Sequence, residues 1–216
     1  MQSFNRTQSV RDLMEAIDTG DLAEALRLIY KNPSLATEQL SSGATREQPT
    51  ANFLPTLGCY LYEGDTVLHV AAAAWQPDLL RRLIAGGAKA ASKNRLGASP
   101  LHYAASGNPE SPRWDPGAQS EAIAVLLGAG ADPNGTDNNG TTPLHRAIRT
   151  RCAAAVEALL MGGADPTIRT RNGSTPRRLA SVSSGRGGSG SPNAKMQQVQ
   201  ILDLLDRLGQ ARSANG

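Results

Sequence analysis

Histidine is the residue of this chain best suited to acid–base or metal chemistry near neutral pH. The chain contains three, His69, His102 and His145, which are 33 and 43 residues apart. Each stands sixth in a repeated phrase, and the copies read Gly64-Asp-Thr-Val-Leu-His-Val-Ala-Ala72, Gly97-Ala-Ser-Pro-Leu-His-Tyr-Ala-Ala105 and Gly140-Thr-Thr-Pro-Leu-His-Arg-Ala-Ile148. Chemistry at one shared site would require these three equivalent positions to converge.

Their equivalence predicts that they stay apart. Packed helices lie about 8–10 Å from one another, whereas zinc holds its nitrogen ligands at about 2.0–2.1 Å. Histidines in equivalent slots of stacked helices therefore cannot share one metal ion. The segment from Gly185 to Gly190 matches Gly-x-Gly-x-x-Gly, but a dinucleotide site needs that pattern between a strand and a helix, and here it interrupts two predicted helices. We expect no catalytic residue, no metal and no cofactor, and hence no enzyme.

The phrase that contains the histidines also sets the architecture. Its opening glycines are Gly64, Gly97 and Gly140, and a worn fourth copy starts at Gly173, so the spacings are 33, 43 and 33. A period near 33 with the pattern Gly-x-Thr-Pro-Leu-His-x-Ala-Ala resembles the ankyrin repeat family. The resemblance implies an all-α solenoid of helix-turn-helix repeats with short β-hairpin tips. It also implies that the three histidines are structural hydrogen-bonding residues beside the helix caps.

The residues around each histidine predict where the first helix of each repeat begins. A hydroxyl side chain at the N-cap satisfies a backbone donor and contributes about 1 kcal/mol, and proline at the first helical position loses no hydrogen bond. The predicted caps are Thr66, Ser99, Thr142 and Thr175, and proline follows the last three of them. Every element of the phrase therefore favours the same repeat.

We interpret residues 1–216 as one solenoid domain of about five repeats. Its predicted parts are an N-terminal capping repeat at 10–40, a long insertion at 41–63, repeats at 64–96, 97–139 and 140–172, a C-terminal capping repeat at 173–209 and a tail at 210–216. The second repeat has an insertion near 108–119, and a Gly/Ser spacer at 183–192 interrupts the last one. The 41–63 insertion is rich in aromatic and aliphatic residues, so we expect it to pack on the array rather than to be disordered.

In this family the concave surface, formed by the tips and the first helices, is the common binding face, so the resemblance implies a protein partner there. The residues that would face the partner are Tyr62, Asp65, Arg95, Leu96, Asn138, Asn139, Arg149, Thr150, Arg171 and Asn172. Arg95, Arg149 and Arg171 form a run across the repeats, and arginine is enriched among interface hot spots. An inhibitor or immunity-type protein is one specific version of this expectation.

Two tryptophans define a second candidate surface at the turns between paired helices. Trp75 stands where the family usually has glycine, and Trp114 lies in the proline-rich insertion of the next repeat. Either the indoles pack together over the array, or they are exposed and anchor a partner.

Charge supplies the alternative function. The net charge is +3, but between Arg146 and Arg186 eight arginines face two acidic residues, whereas residues 12–24 hold five acidic residues. Such asymmetry can attract a polyanion or a nucleic acid to the C-terminal repeats, although we expect a protein partner. Because no apolar run approaches the roughly 18 residues of a spanning helix and the two cysteines lack metal-ligand spacing, the expectation is a cytoplasmic monomer with no membrane partner.

Overall fold

The computed structural model describes residues 2–45, 50–182 and 191–214. Its α-helices are α1 (Gln2–Thr19), α2 (Leu22–Lys31), α3 (Val67–Ala73), α4 (Pro77–Ala85), α5 (Pro100–Ala104), α6 (Pro116–Gly128), α7 (Pro143–Arg149), α8 (Ala153–Met161), α9 (Pro176–Ser181) and α10 (Pro192–Ala214). Short 3-10 helices span Pro33–Ala36 and Thr50–Asn52, and two strands, β1 (Phe53–Leu54) and β2 (Cys59–Tyr60), form an antiparallel pair.

The α-helices stack as five antiparallel pairs, which confirms the predicted all-α solenoid. Helices α3, α5, α7 and α9 pack in sequence along one side, and α4, α6, α8 and α10 pack along the other. Leucine, isoleucine and valine side chains fill the space between the two layers, and buried alanines let the first helices approach closely. Burying each large aliphatic side chain stabilises the array by about 1.5–3 kcal/mol.

The first helix of each repeat begins where the sequence predicts it. Thr66, Ser99, Thr142 and Thr175 are the N-cap residues of α3, α5, α7 and α9. Three predicted boundaries differ. Helix α1 begins at Gln2, eight residues before the predicted start of the N-terminal capping repeat at 10–40, and α10 continues to Ala214, through most of the predicted tail. The insertion of the second repeat ends at Asp115 because this side chain caps α6 by accepting the N–H groups of Gly117 and Ala118.

The repeat tips stack through backbone hydrogen bonds but are turns rather than paired strands. Each tip donates to the one before it, as in Asn138 N to Leu96 O (2.9 Å) and Arg171 N to Asn139 O (2.9 Å). Gly97 closes its turn with φ of +75°, and a Cβ there would lie 2.7 Å from Asn138 Oδ1. Glycine is required at this position by both its positive φ and the close approach of the next tip.

The only strands assigned in the described residues lie inside the 41–63 insertion, as a hairpin made of β1 and β2. Residues 183–190 of the predicted Gly/Ser spacer lie outside the described residues, whereas its last two residues lead into α10. In the part of the chain that the structure describes, no helix combines the length and apolar character needed to cross a membrane.

Candidate partner-binding site

The three histidines are buried at the starts of α3, α5 and α7, and they connect each repeat to the next. In each case the ring Nδ1 lies 3.1–3.3 Å from the backbone N of the N-cap residue. A backbone amide can only donate, so Nδ1 is unprotonated and the proton is on Nε2. Each Nε2 then donates to a carbonyl at the next tip: His69 to Ala98 O (3.2 Å), His102 to Thr141 O (2.9 Å) and His145 to Ser174 O (3.2 Å). We call this series the histidine ladder.

The ladder keeps its imidazoles neutral. Burial lowers the pKa of His69 and His145, and burial together with the nearby charge of Arg146 lowers the pKa of His102 to about 3. Since both ring nitrogens are occupied by hydrogen bonds within the fold, the ladder connects repeats rather than presenting a base to a substrate. Within the described residues, no group of three or more His, Cys, Asp or Glu side chains is arranged to hold a metal ion.

A groove of about 600 Å³ lies over the first three repeats. Its floor is the exposed side of α3, α5 and α7, one wall is the β1–β2 hairpin, and the other is the segment 106–113. The residues that line the groove include Tyr60, Tyr62, Ala73, Ala74, Trp75, Leu96, Tyr103, Ser106, Arg113, Arg146 and Thr150. The volume falls within the range of about 300–1,000 Å³ that is usual for ligand sites.

The hairpin wall is fixed to the N-terminal cap by a buried carboxylate. Asp18, on α1, accepts the backbone N–H of Leu57 at 2.8 Å and that of Thr56 at 3.3 Å. Leu54 and Leu61 are buried beneath the hairpin. The described part of the insertion, 41–45 and 50–63, therefore packs on the array, as the sequence predicts, and it forms part of the concave face, whereas residues 46–49 lie outside the described residues.

The second wall joins distant parts of the chain. Arg113 Nη1 donates to Thr56 O at 3.0 Å, which ties this wall to the hairpin across one end of the groove. At its other side, Glu110 accepts from Ser191 Oγ at 2.6 Å, and Pro109 O accepts from Asn193 at 2.8 Å. The segment thus connects the first insertion with the start of α10.

The two tryptophans are half-buried and belong to one hydrogen-bonded cluster. The Ala104 carbonyl accepts from both Trp75 Nε1 (3.1 Å) and Gln119 Nε2 (2.9 Å), and Gln119 Oε1 accepts from Trp114 Nε1 (2.8 Å). Gln119 is fully buried between them. Of the two interpretations left open by the sequence, packing over the array describes this geometry, although one indole, Trp75, also lines the groove.

The structure corrects the prediction that Asp65 contacts a partner. Its side chain is fully buried, so it is not available to a partner. It accepts Tyr62 N (2.7 Å), Asn94 Nδ2 (2.9 Å) and Tyr103 OH (2.9 Å). The physical reason is positional, because the residue after the tip glycine leads into the helix cap and lies beneath the next tip; Ala98 and Thr141, in the same slot, are also buried.

The other predicted contact residues fall into two groups. Tyr62, Leu96 and Thr150 line the groove. Arg95 lies beside it, with its guanidinium 5.4 Å from the centre of the Tyr62 ring and hydrogen-bonded to the Ala44 carbonyl. The tip residues Asn138, Asn139, Arg171 and Asn172 are exposed and lie outside the groove lining.

Arg149 is separated from the other predicted arginines. It lines a smaller cavity of about 180 Å³, together with residues of α9 and α10. The predicted run of Arg95, Arg149 and Arg171 is therefore not one continuous surface around the groove. Part of the C-terminal arginine cluster is also used inside the fold, since Arg177 pairs with Asp206 and Arg169 donates to Gly173 O.

The sequence prediction missed Arg146 and Tyr103, which occupy the slot directly after the histidine in successive repeats. They meet on the groove floor, where the Arg146 guanidinium lies 6.0 Å from the centre of the Tyr103 ring. Arg146 also pairs with Asp137 at 3.3 Å. The signal was present in the sequence, because the first repeat has the small apolar Val70 in this slot.

The cysteines are both free thiols. Burial raises the pKa of Cys59, in the groove, to about 12 and that of Cys152 to about 11. A thiol acts as a nucleophile through its thiolate, so neither cysteine supplies one at neutral pH.

Family models match the repeated part of the chain. Residues 63–95 and 96–138 each match the model of the ankyrin repeat, and residues 126–180 match the model described as ankyrin repeats in many copies. Together these matches span more than half of the chain.

Three curated proteins are similar to part of this chain. The chain is 33% identical to the E3 ubiquitin-protein ligase KEG of Arabidopsis thaliana over 152 residues, which is 68% of this chain and 8% of that protein. It is 35% identical to NF-kappa-B inhibitor alpha of Homo sapiens over 98 residues, 44% of this chain and 28% of that protein. It is also 35% identical to tyrosine-protein kinase Shark of Drosophila melanogaster over 96 residues, 44% of this chain and 9% of that protein. The chain thus spans less than a third of the length of each.

Proposed function

Because the chain belongs to the ankyrin repeat family, whose repeats are protein-interaction modules, we propose that it binds an extended segment of a partner protein in the concave groove. The observation that supports this proposal is the groove itself. Three repeats supply its floor, and two insertions supply walls that hydrogen bonds hold in place. A preformed site of this kind loses little conformational entropy on binding.

The proposed role is non-catalytic. The histidines serve as links between repeats, and the groove offers aromatic rings and arginines, which are residue types that protein interfaces favour. Two of the similar proteins are named for enzymatic activities, but the chain covers only 8% and 9% of them. A partner segment bound in the groove is covered by it and is not accessible to other molecules. Inhibition of the partner is therefore the effect to assay.

A tryptophan placed in the groove tests the proposal. Ser106→Trp introduces a large side chain at a half-buried position of the lining, whereas Ala124→Trp adds the same side chain at an exposed position of the outer helix α6. Proteins captured from the source organism by the wild-type chain should be lost with Ser106→Trp and kept with Ala124→Trp, provided that circular dichroism shows both variants to be folded. Equal capture by the two variants would place the binding surface elsewhere.

Salt separates the proposal from polyanion binding by the C-terminal arginines. Phosphate-dominated binding weakens steeply between 50 and 200 mM salt, by about 10³- to 10⁵-fold when six to ten phosphates are contacted. Binding in the groove should weaken only modestly over the same range and should resist nuclease treatment. Steep salt dependence that persists in Ser106→Trp would favour the polyanion hypothesis instead.

A further inference from the structure

The charges that line the groove are of one sign. Within the described lining, the ionised side chains at neutral pH are Arg113 and Arg146, and no aspartate or glutamate is among them. Two carboxylates that contact floor residues, Asp65 at Tyr103 and Asp137 at Arg146, are already used by the fold. Asp65 is fully buried and accepts three hydrogen bonds, and Asp137 accepts the backbone N–H groups of Asn139 (2.8 Å) and Thr141 (3.0 Å).

Arg146 is held in position by the fold and keeps further N–H donors for a ligand. Its aliphatic and guanidinium groups are partly sheltered, with 22% of the side chain exposed, and the Tyr103 ring and Asp137 Oδ2 fix its place on the floor. A guanidinium has five N–H donors. Among the described residues, Asp137 Oδ2 receives one of them, at the long distance of 3.3 Å, so Arg146 presents the groove with further donors in a sheltered environment.

Apolar surface lies beside this cation. Ala73, Ala74 and Trp75 form the floor and edge of the groove over the first repeat, and the rings of Tyr60 and Tyr62 stand opposite on the hairpin side. A ligand that fits the whole groove therefore combines an anionic group for Arg146 with a short apolar portion for the alanine floor. Charge complementarity of this kind fixes orientation as well as affinity.

Resting on the proposed function, we infer that the groove recognises an acidic segment of the partner protein, with an aspartate or glutamate carboxylate bound by Arg146 and an adjacent apolar side chain on the alanine floor. Arg113 also lines the groove and donates to Thr56 O through one nitrogen, so it adds a second positive charge to the site. The carboxylate accepts two parallel hydrogen bonds from one guanidinium, a geometry that lysine cannot provide.

This inference can be tested by phage display, in which a library of random 12-residue peptides is selected for binding to the full chain. Peptides that bind the groove are those whose binding is lost with Ser106→Trp and kept with Ala124→Trp. We expect this set to be enriched in aspartate or glutamate next to an apolar residue. For a selected peptide, Arg146→Gln should weaken binding at least tenfold, whereas Arg82→Gln, at an exposed position of the outer helix α4, should change it less than twofold.

Changing the peptide instead of the protein guards against misfolding of the Arg146 variant. Replacing the peptide's acidic residue by its amide should weaken binding to the wild-type chain about as much as Arg146→Gln does, and combining the two changes should add little further loss. Groove-binding peptides without acidic residues, or losses that simply multiply, would overturn the inference and leave the proposed function intact. If no selected peptide responds to Ser106→Trp, the proposed function fails and this inference with it.

Discussion

The concave face consists of two halves built from the same repeat but bounded differently. Beside the first two repeats, the hairpin insertion and the segment 106–113 stand on either side of the helices and enclose the groove, whose floor extends to Arg146 and Thr150 of the third repeat. At the tips that lead into the third and fourth repeats, Asn138, Asn139, Arg171 and Asn172 are exposed. We call these the walled half and the open half.

The difference shows that the repeat supplies a frame and the insertions supply the walls of the groove. In both halves a histidine connects its helix to the next tip with the same hydrogen bonds. What changes is the packing on top of the frame. The carboxylate of Asp65 and the pinned loop at Thr56 occur in the walled half, where they stabilise an interface between the repeats and an inserted segment.

The largest effect we predict comes from acid, which should weaken both halves because the histidine ladder runs through both. Each imidazole has a lowered pKa in the fold, so the unfolded chain takes up the protons first as the pH falls below about 6.5. The stability contributed by the ladder is therefore complete above that pH and declines below it. Each imidazole should remove up to about 1.4 kcal/mol of unfolding free energy per pH unit.

Urea unfolding between pH 7.5 and 5.5 measures this slope. His102→Gln removes one titrating group from the middle of the ladder, so its unfolding free energy should be lower at pH 7.5 but should fall about one third less steeply with acid. An identical slope in the wild-type chain and in His102→Gln would contradict the assignment of the neutral ladder.

The next effect tests the walled half alone. Asp65→Asn places an amide N–H₂ group where one backbone donor, Tyr62 N, and two side-chain donors, Asn94 Nδ2 and Tyr103 OH, now meet a carboxylate. Asn94 cannot turn over to help, because its Oδ1 accepts the N–H groups of Leu96 and Ala98. We expect a loss of about 2–3 kcal/mol, the effect of leaving buried donors without acceptors.

Ser174→Ala is the matched control in the open half, since Ser174 occupies the same slot and is only half-buried. Its carbonyl still accepts from His145, so chemical denaturation should show a change within about 0.5 kcal/mol. Similar losses in the two variants would mean that the walls do not set the two halves apart.

The repeated frame could be predicted from the sequence because each part of it has a local cause. A hydroxyl before proline marks a helix start, and a tip glycine marks a positive φ, so the caps at Ser99 and Thr142 follow from a few neighbouring residues. The family matches and the stacked helices confirm the ankyrin fold.

The groove could not be predicted to the same extent, because it depends on contacts between residues far apart in the chain. Nothing near Thr56 in the sequence indicates that Asp18 and Arg113 bind its loop from two directions. Likewise, the sequence predicts that Asp65 is exposed, whereas it is buried beneath the next tip. This burial depends on how the repeats stack and not on the residues next to Asp65 in the chain. Arg146 was within reach of sequence reasoning, since an arginine after the histidine departs from the apolar residue in the first repeat.

The smallest effect, and the sharpest test of the comparison, is expected from Asp18→Ala. This change frees the Thr56 and Leu57 amides, but the loop is near solvent and water can replace the carboxylate, so the loss should be about 1 kcal/mol. Hydrogen exchange measured by mass spectrometry should nevertheless accelerate in the hairpin at 53–61 and remain unchanged at the tip 170–175, since local opening follows local contacts. Asp12→Ala, at an exposed position of the same helix, should leave both regions unchanged. Faster exchange at both places would show that the hairpin belongs to one cooperative unit with the open half. Faster exchange confined to 53–61 would show that the wall of the groove is held separately by its own contacts.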